Sequence, residues 1–232
     1  MTEIKKNLQT ILDTIRQAEK DAGRNQNTVQ LLAVSKTWPA ETLKQVARQG
    51  QRLFGENYLQ EAHEKIRALK GLDLEWHFIG PIQSNKTRDI AACFDWAQSV
   101  DRLKIARRLN EHRPAELPPL NICIQVNIDN EDSKSGVTED EVMAFAAAIQ
   151  PLDRLKLRGL MVIPARHEHD TEQRDAFYRA HQLFEKLQAA YPDIDTLSMG
   201  MTGDMQAAIS EGSTMVRIGT ALFGQRDTNK SE

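Results

Sequence analysis

The sequence predicts an α/β fold, a single (β/α)8 TIM barrel with an extra N-terminal helix, and three observations carry that reading. Eight short apolar runs recur, each followed by a few polar or small residues, an amphipathic stretch, and Gly, Pro or Asp punctuation. Apolar runs that alternate with helices indicate a parallel sheet covered by helices. The length, 232 residues, suits one undivided α/β barrel. A doubly wound sheet is the alternative, but the glycines of SMGMTG at 198–203 lack the spacing of a dinucleotide fingerprint.

In chain order, Ile4, Leu8, Ile11, Leu12 and Ile15 fall at helical spacing, and Gly23 is a suitable stop. Residues 1–23 therefore read as an N-terminal helical segment. The apolar runs lie at 29–34, 52–54, 76–79, 96–100, 122–126, 157–163, 196–198 and 215–218. Helices are predicted at 40–49, between Pro39 and Gly50, at 58–69 after Asn57, and at 85–94 after the IGPIQS turn. A further helix at 102–110 carries Leu103, Ile105, Ala106 and Leu109, with Asp101 as its expected N-cap. Others are expected at 139–149, 172–190 and, briefly, 205–210. Residues 1–232 form one domain without a linker, and 225–232 read as a frayed tail.

Composition narrows the function. The chain is 40% hydrophobic and 27% charged with a formal net charge of −3, which argues against nucleic acid as a partner. Cys93 and Cys123 form neither a CxxC nor a metal spacing, so a reducing compartment, the cytoplasm, is expected. The N-terminus is amphipathic rather than signal-like, and no run approaches a membrane span. No exposed apolar stripe calls for an obligate assembly, so a monomer is expected.

In this barrel, functional residues collect at the C-terminal ends of the strands. The first run is followed by Ser35 and Lys36, the second by Gly55, Glu56 and Asn57. The third contains His77 and leads to Gly80, the seventh gives Ser198, Met199 and Gly200, and the eighth gives Gly219 and Thr220. A lysine ending a buried strand is partly desolvated, which lowers its pKa and favours the free amine that Schiff-base chemistry needs. Alternatively it snorkels at the rim. In MVRIGT, Arg217 alternates with the branched residues and should point inward, where it needs a partner. A carboxylate such as Glu56, a bound anion and a ring nitrogen are the candidates. Small residues after strands seven and eight suit a phosphate held by backbone N–H groups. A lysine facing such a cup suits a phosphorylated aldehyde, either pyridoxal 5'-phosphate or a sugar phosphate held transiently as in aldolases.

Other features carry less. His167-Glu-His169-Asp170 is a polar loop rather than a zinc site, and no metal is expected. DNEDSKSG at 129–136 lacks the twelfth-position Glu of a calcium loop and reads as a lid with Lys134 exposed. Lys86 and Arg88 form a basic rim that reads as a solvated helix face. Met199, Met201 and Met205 read as packing.

The segments LLAVSKTWPAE, FGENYLQEA, WHFIGPIQSNK, QVNIDNEDSKSG, RGLMVIP and LSMGMTGDMQAAISEGSTMVRIGTALFG span nearly the whole chain. With them the sequence resembles the pyridoxal phosphate homeostasis protein family (YggS/PROSC family). The resemblance implies an alanine-racemase-like N-terminal barrel with Lys36 as the aldimine lysine. It also implies a phosphate region at Ser198, Gly200, Gly219 and Thr220, Arg217 at the pyridine nitrogen or the phosphate, and Asn57 and Met199 lining the pocket. Thr202 and Gly203 stand where the family usually has a serine and an acidic residue, whereas Asp204 is kept.

The resemblance implies a carrier with no catalytic residue that buffers pyridoxal phosphate (PLP) and supplies PLP-dependent apo-enzymes. The shared fold suggests the alternative, an amino-acid racemase. A racemase needs a base on each face of its substrate, and Tyr58, Tyr178 and Tyr191, in or beside predicted helices, offer no evident second one. A second, weaker PLP site at Lys134 or the basic rim is conceivable.

Overall fold

The computed structural model describes residues 3–131, 134–165 and 170–225. His167, Glu168, His169 and the tail from 226 onward lie outside the described residues. Eight parallel strands close into a barrel in sequence order, β1 pairing with both β2 and β8. They are β1 Gln30–Val34, β2 Leu53–Glu56, β3 Glu75–Phe78, β4 Trp96–Val100, β5 Leu120–Val126, β6 Leu155–Val162, β7 Thr196–Ser198 and β8 Met215–Ile218. The helices are α1 Glu3–Asp21, α2 Ala40–Ala47, α3 Leu59–Ala68, α4 Thr87–Cys93, α5 Leu103–His112, α6 Val142–Ile149, α7 Asp170–Ala190, α8 Met205–Ser210 and α9 Thr220–Phe223.

The main core lies between sheet and helices, where Phe54, Phe94, Phe177, Ile105, Leu109, Ile122 and Ile124 are fully buried. Each such side chain contributes roughly 1.5–3 kcal/mol relative to an exposed one. The barrel interior is a separate layer. Trp96, Cys123 and Met161 pack together there, beside the buried polar groups His77, Gln98, Ser198 and Arg217. Helix α1 closes the chain on itself by packing against α8 and α9, and the Asn7 side-chain amide donates to Leu222 O (3.2 Å).

Several boundaries move for identifiable reasons. Val29 stays outside β1 because its N–H goes to the buried Glu19 carboxylate (2.7 Å). The helix expected at 85–94 begins as a 3-10 turn, Ser84–Lys86, and the one at 139–149 as Glu139–Glu141. In the second, Glu141 Oε2 accepts from Thr138 N (2.9 Å) and closes a capping box. Asp101 is not the cap of α5. Arg102 occupies that position with extended backbone, and the Asp101 carboxylate instead takes Arg102 Nε (3.0 Å). Lys134 is half-buried and paired with Glu131 (2.9 Å), not freely exposed. Among the described residues no group of three or more His, Cys, Asp or Glu could hold a metal ion, and no helix is long and apolar enough to cross a membrane.

Candidate functional site at the barrel mouth

Strand alternation sends Arg217 into the barrel, but its partners are not carboxylates. Its Nη1 donates to Ser198 O (2.7 Å) and Ser198 Oγ (2.9 Å), and its Nη2 to Val162 O (2.9 Å). Glu56, the partner considered from sequence, accepts from Lys65 Nζ (2.8 Å) and Ser35 Oγ (2.5 Å). Burial pushes the Arg217 guanidinium down to about 10, with Asp204 pulling the other way, so it stays charged at neutral pH.

A hydrogen-bonded chain continues from Arg217 through the barrel. Ser198 Oγ donates to Gln98 Oε1 (2.7 Å), and Gln98 Nε2 to His77 Nδ1 (2.9 Å). That assigns the ring proton to His77 Nε2, which faces Glu75 Oε1 (2.8 Å). Burial holds the His77 pKa below its ordinary value, favouring this neutral form. Burial also acts on Glu75, but in the raising direction. The His77 hydrogen bond, with smaller contributions that include the nearby Arg158 charge, outweighs it and holds the carboxyl below its usual range. Sequence reasoning noted His77 without a role and missed Gln98. Its only signal was a polar residue at an inward position of β4.

Lys36 sits just past β1, half-buried. It lines a cavity of about 330 Å³ with Val34, Trp38, Gly219, Thr220, Gly224 and Gln225. The register that pairs Leu32 with Arg217 and Ala33 with Ile218 places the ends of β1 and β8 side by side. The backbones come close there, for a Cβ on Gly219 would stand 3.3 Å from Val34 O. Thr220 is exposed and opens the one-turn α9, which sequence reading missed because four residues carry no periodicity.

Ser198, Met199 and Gly200 do not line that cavity. The Ser198 hydroxyl is committed to Gln98 and Arg217, and Met199 is buried in the main hydrophobic cluster. Gly200 adopts φ +97°, and its carbonyl accepts the Arg217 backbone N–H (2.9 Å). In the loop that follows, Asp204 accepts from Met201 N (2.5 Å) and from Gln173 Nε2 (3.0 Å). These bonds hold the turn that carries Thr202 and Gly203.

Asn57 borders a neighbouring mouth cavity of about 310 Å³ with Ser99, Gln125, Lys134 and Ile163. Its Oδ1 is buried and makes no hydrogen bond within the described structure. A buried acceptor without a donor costs about 1–3 kcal/mol, so it is suited to a ligand hydroxyl or a bridging water. Lys36 and the close backbone at Gly219 share one cavity, and an amine beside small residues suits a small phosphorylated aldehyde; Asn57 lines the neighbouring cavity, and Arg217 lines neither. Cavities of roughly 300–1,000 Å³ are usual for such ligands.

The family model described as alanine racemase, N-terminal domain, matches residues 6–227. A protein of Pasteurella multocida named pyridoxal phosphate homeostasis protein is 55% identical, covering 98% of this chain and 99% of its own. Its namesake in Escherichia coli K12 is 52% identical over 99% of this chain and 100% of its own. PipY of Synechococcus elongatus, solved with PLP bound, superposes with a TM-score of 0.81 at 34% identity, covering 96% of this chain and 100% of PipY. The relatives' names describe homeostasis and not a reaction. With this likeness running from end to end of both partners, the chain belongs to the pyridoxal phosphate homeostasis protein family, within the alanine racemase N-terminal-domain fold.

Proposed function

We propose that this chain binds PLP at the barrel mouth, with Lys36 supplying the amine that carries it as a Schiff base, and that it serves intracellular PLP homeostasis. The observation that carries the proposal is the single cavity shared by Lys36, Gly219 and Thr220 at the ends of adjacent strands. PLP when bound supplies an aldehyde that condenses reversibly with an amine and releases water. Gly219 and Thr220 receive the phosphate at the start of α9. Arg217 faces the ring nitrogen, while Ser198 and Gly200 hold Arg217 in place. Asn57 orients a polar ring substituent, and Met199 backs the loop from the core. The protein works as a cytoplasmic monomer that passes PLP to PLP-dependent apo-enzymes. The names of the relatives and the PLP-bound PipY structure support this reading.

Borohydride reduction of the PLP-loaded protein, followed by peptide mass mapping, tests it. A pyridoxyl group on the Lys36 peptide, lost in Lys36→Ala, is the expected result. A colourless protein, or an adduct on some other lysine, refutes it.

A further inference from the structure

The residues on both sides of Lys36 are held by one buried cation. Lys65, on α3, has a side chain only 4% exposed. Its ammonium donates to Ser35 O (2.7 Å), Glu56 Oε1 (2.8 Å) and Glu61 Oε1 (2.5 Å). An ammonium has three N–H donors, and these three acceptors use them all. The Glu61 oxygen that faces Lys65 also accepts the backbone N–H of Thr37. The two neighbours of Lys36 are thereby tied to the same nitrogen, Ser35 through its carbonyl and Thr37 through Glu61.

Ser35 is fixed further. Its N–H donates to Gly55 O (2.9 Å) and its hydroxyl to Glu56 Oε1 (2.5 Å). Thr37 adopts φ +70°, a left-handed conformation that costs a β-branched residue about 1–2 kcal/mol. Such strain persists only where surrounding contacts impose it, and two are in place: the Glu61 hydrogen bond on the Thr37 amide and the turn bond from Trp38 N to Ser35 O (3.1 Å). With the flanking peptide groups pinned, the Cα–Cβ direction of Lys36 is set before any ligand arrives.

We infer that Glu61, supported by Lys65, is a positioning residue that aims the Lys36 side chain into the cavity it shares with Gly219 and Thr220. This rests on the PLP-binding reading above. A pre-aimed amine captures an aldehyde faster because less rotational freedom is lost on reaction. Glu61 touches neither the cavity nor the reacting atoms, so it acts on Lys36 through the Thr37 amide directly and through Lys65 on Ser35. Its side chain is 27% exposed, which makes it replaceable without opening the core.

The test compares full-length wild type, Glu61→Ala and Glu61→Gln. The readouts are the rate of PLP capture at Lys36 by borohydride trapping, Lys36 labelling by a neutral amine reagent, hydrogen exchange at the Thr37 amide, and Tm. In Glu61→Ala, capture should slow roughly tenfold, the worth of one charge-assisted hydrogen bond, with faster Thr37 exchange and altered Lys36 labelling. Glu61→Gln keeps an oxygen acceptor for Thr37 and should restore most of the capture rate and the exchange protection. The inference is overturned if Glu61→Ala captures PLP at the wild-type rate. It is equally overturned if Glu61→Gln is as slow as Glu61→Ala, or if the slowing merely tracks a fall in Tm without faster Thr37 exchange. A wild-type protein that forms no Lys36 adduct refutes the PLP-binding reading instead, and the labelling and exchange data still decide whether Glu61 orders Lys36.

Discussion

Replacing Gly80 by alanine tests how firmly the barrel mouth is built. Gly80 follows β3, and a Cβ there would lie 2.3 Å from Asn57 O and 2.9 Å from both Asn57 C and Cα. Ordinary contacts begin near 3.4 Å, so one of the two backbones must retreat by about 1 Å. Gly80 is not free to yield alone, because its carbonyl accepts from the buried Ser99 hydroxyl (2.5 Å). Overpacking of this kind costs roughly 1–3 kcal/mol. The displacement falls on Asn57, whose buried Oδ1 is an acceptor awaiting a donor. A misplacement of about 1 Å at a positioning group can cost on the order of a hundredfold in a reacting geometry. We therefore expect Gly80→Ala to lose about 1–3 kcal/mol in urea unfolding and to release PLP at least tenfold faster in a spectroscopic dilution assay. Unchanged stability together with unchanged release would refute this account of the mouth.

Two further perturbations probe the support beneath it. Gln98→Leu deprives the Ser198 hydroxyl and His77 Nδ1 of their partner. At about 1–3 kcal/mol for each stranded group, urea denaturation should show a loss of roughly 2–6 kcal/mol, and a loss under 1 kcal/mol would count against a continuous polar chain. Glu19 is fully buried and accepts from Arg16 Nη1 (2.5 Å), Asn27 N (3.1 Å), Thr28 Oγ1 (3.2 Å) and Val29 N (2.7 Å). Burial opposes its ionisation, but the Arg16 and backbone hydrogen bonds outweigh it and set its pKa below 4.5. Because the folded value is the lower one, its contribution is present above pH 4.5 and is lost as pH falls through the folded value. Unfolding free energies from pH 6 to 3 should fall less steeply in Glu19→Gln than in wild type, and parallel curves would exclude the role.

The sequence disclosed the barrel because buried parallel strands are continuous apolar runs, and those at 96–100, 196–198 and 215–218 coincide with β4, β7 and β8. It disclosed that Arg217 points inward, because strand alternation is strict. What it hid were partners drawn from the backbone. The carbonyls of Ser198 and Val162 have no residue code, so the candidates for this buried cation were a carboxylate, a bound anion or a ring nitrogen, and the backbone was not among them. The true partner of Glu56 is Lys65, nine residues on and one turn past Glu61 on α3. On a helix wheel it reads as one more solvated lysine. The tertiary fold alone brings it under β1. Likewise, Ser198 lies in the segment that suggests phosphate, yet its hydroxyl is spent inside the barrel.

Arg217 bears on why such a mouth would hold PLP rather than drive chemistry on it. Three of its five N–H donors are used by Ser198 and Val162, leaving two that no described residue takes. The chain of hydrogen bonds behind it runs in one direction, from Arg217 through Ser198 and Gln98 to His77 and Glu75, and fixes the guanidinium from beneath. Even with its pKa pushed down to about 10, the group remains protonated at neutral pH, so toward a ring nitrogen it donates a hydrogen bond without giving up a proton. A pyridine left unprotonated is a weak electron sink, and carbanion chemistry on it would be slow. On the proposed reading, the polar chain that pins Arg217 thus favours retention of the cofactor over turnover. Arg217→Glu sharpens the point. A carboxylate at the ring nitrogen would favour a protonated ring, and the bound cofactor's visible spectrum should then acquire a pH dependence that the wild type lacks. A spectrum equally insensitive to pH in the variant would show that residue 217 does not face the ring nitrogen.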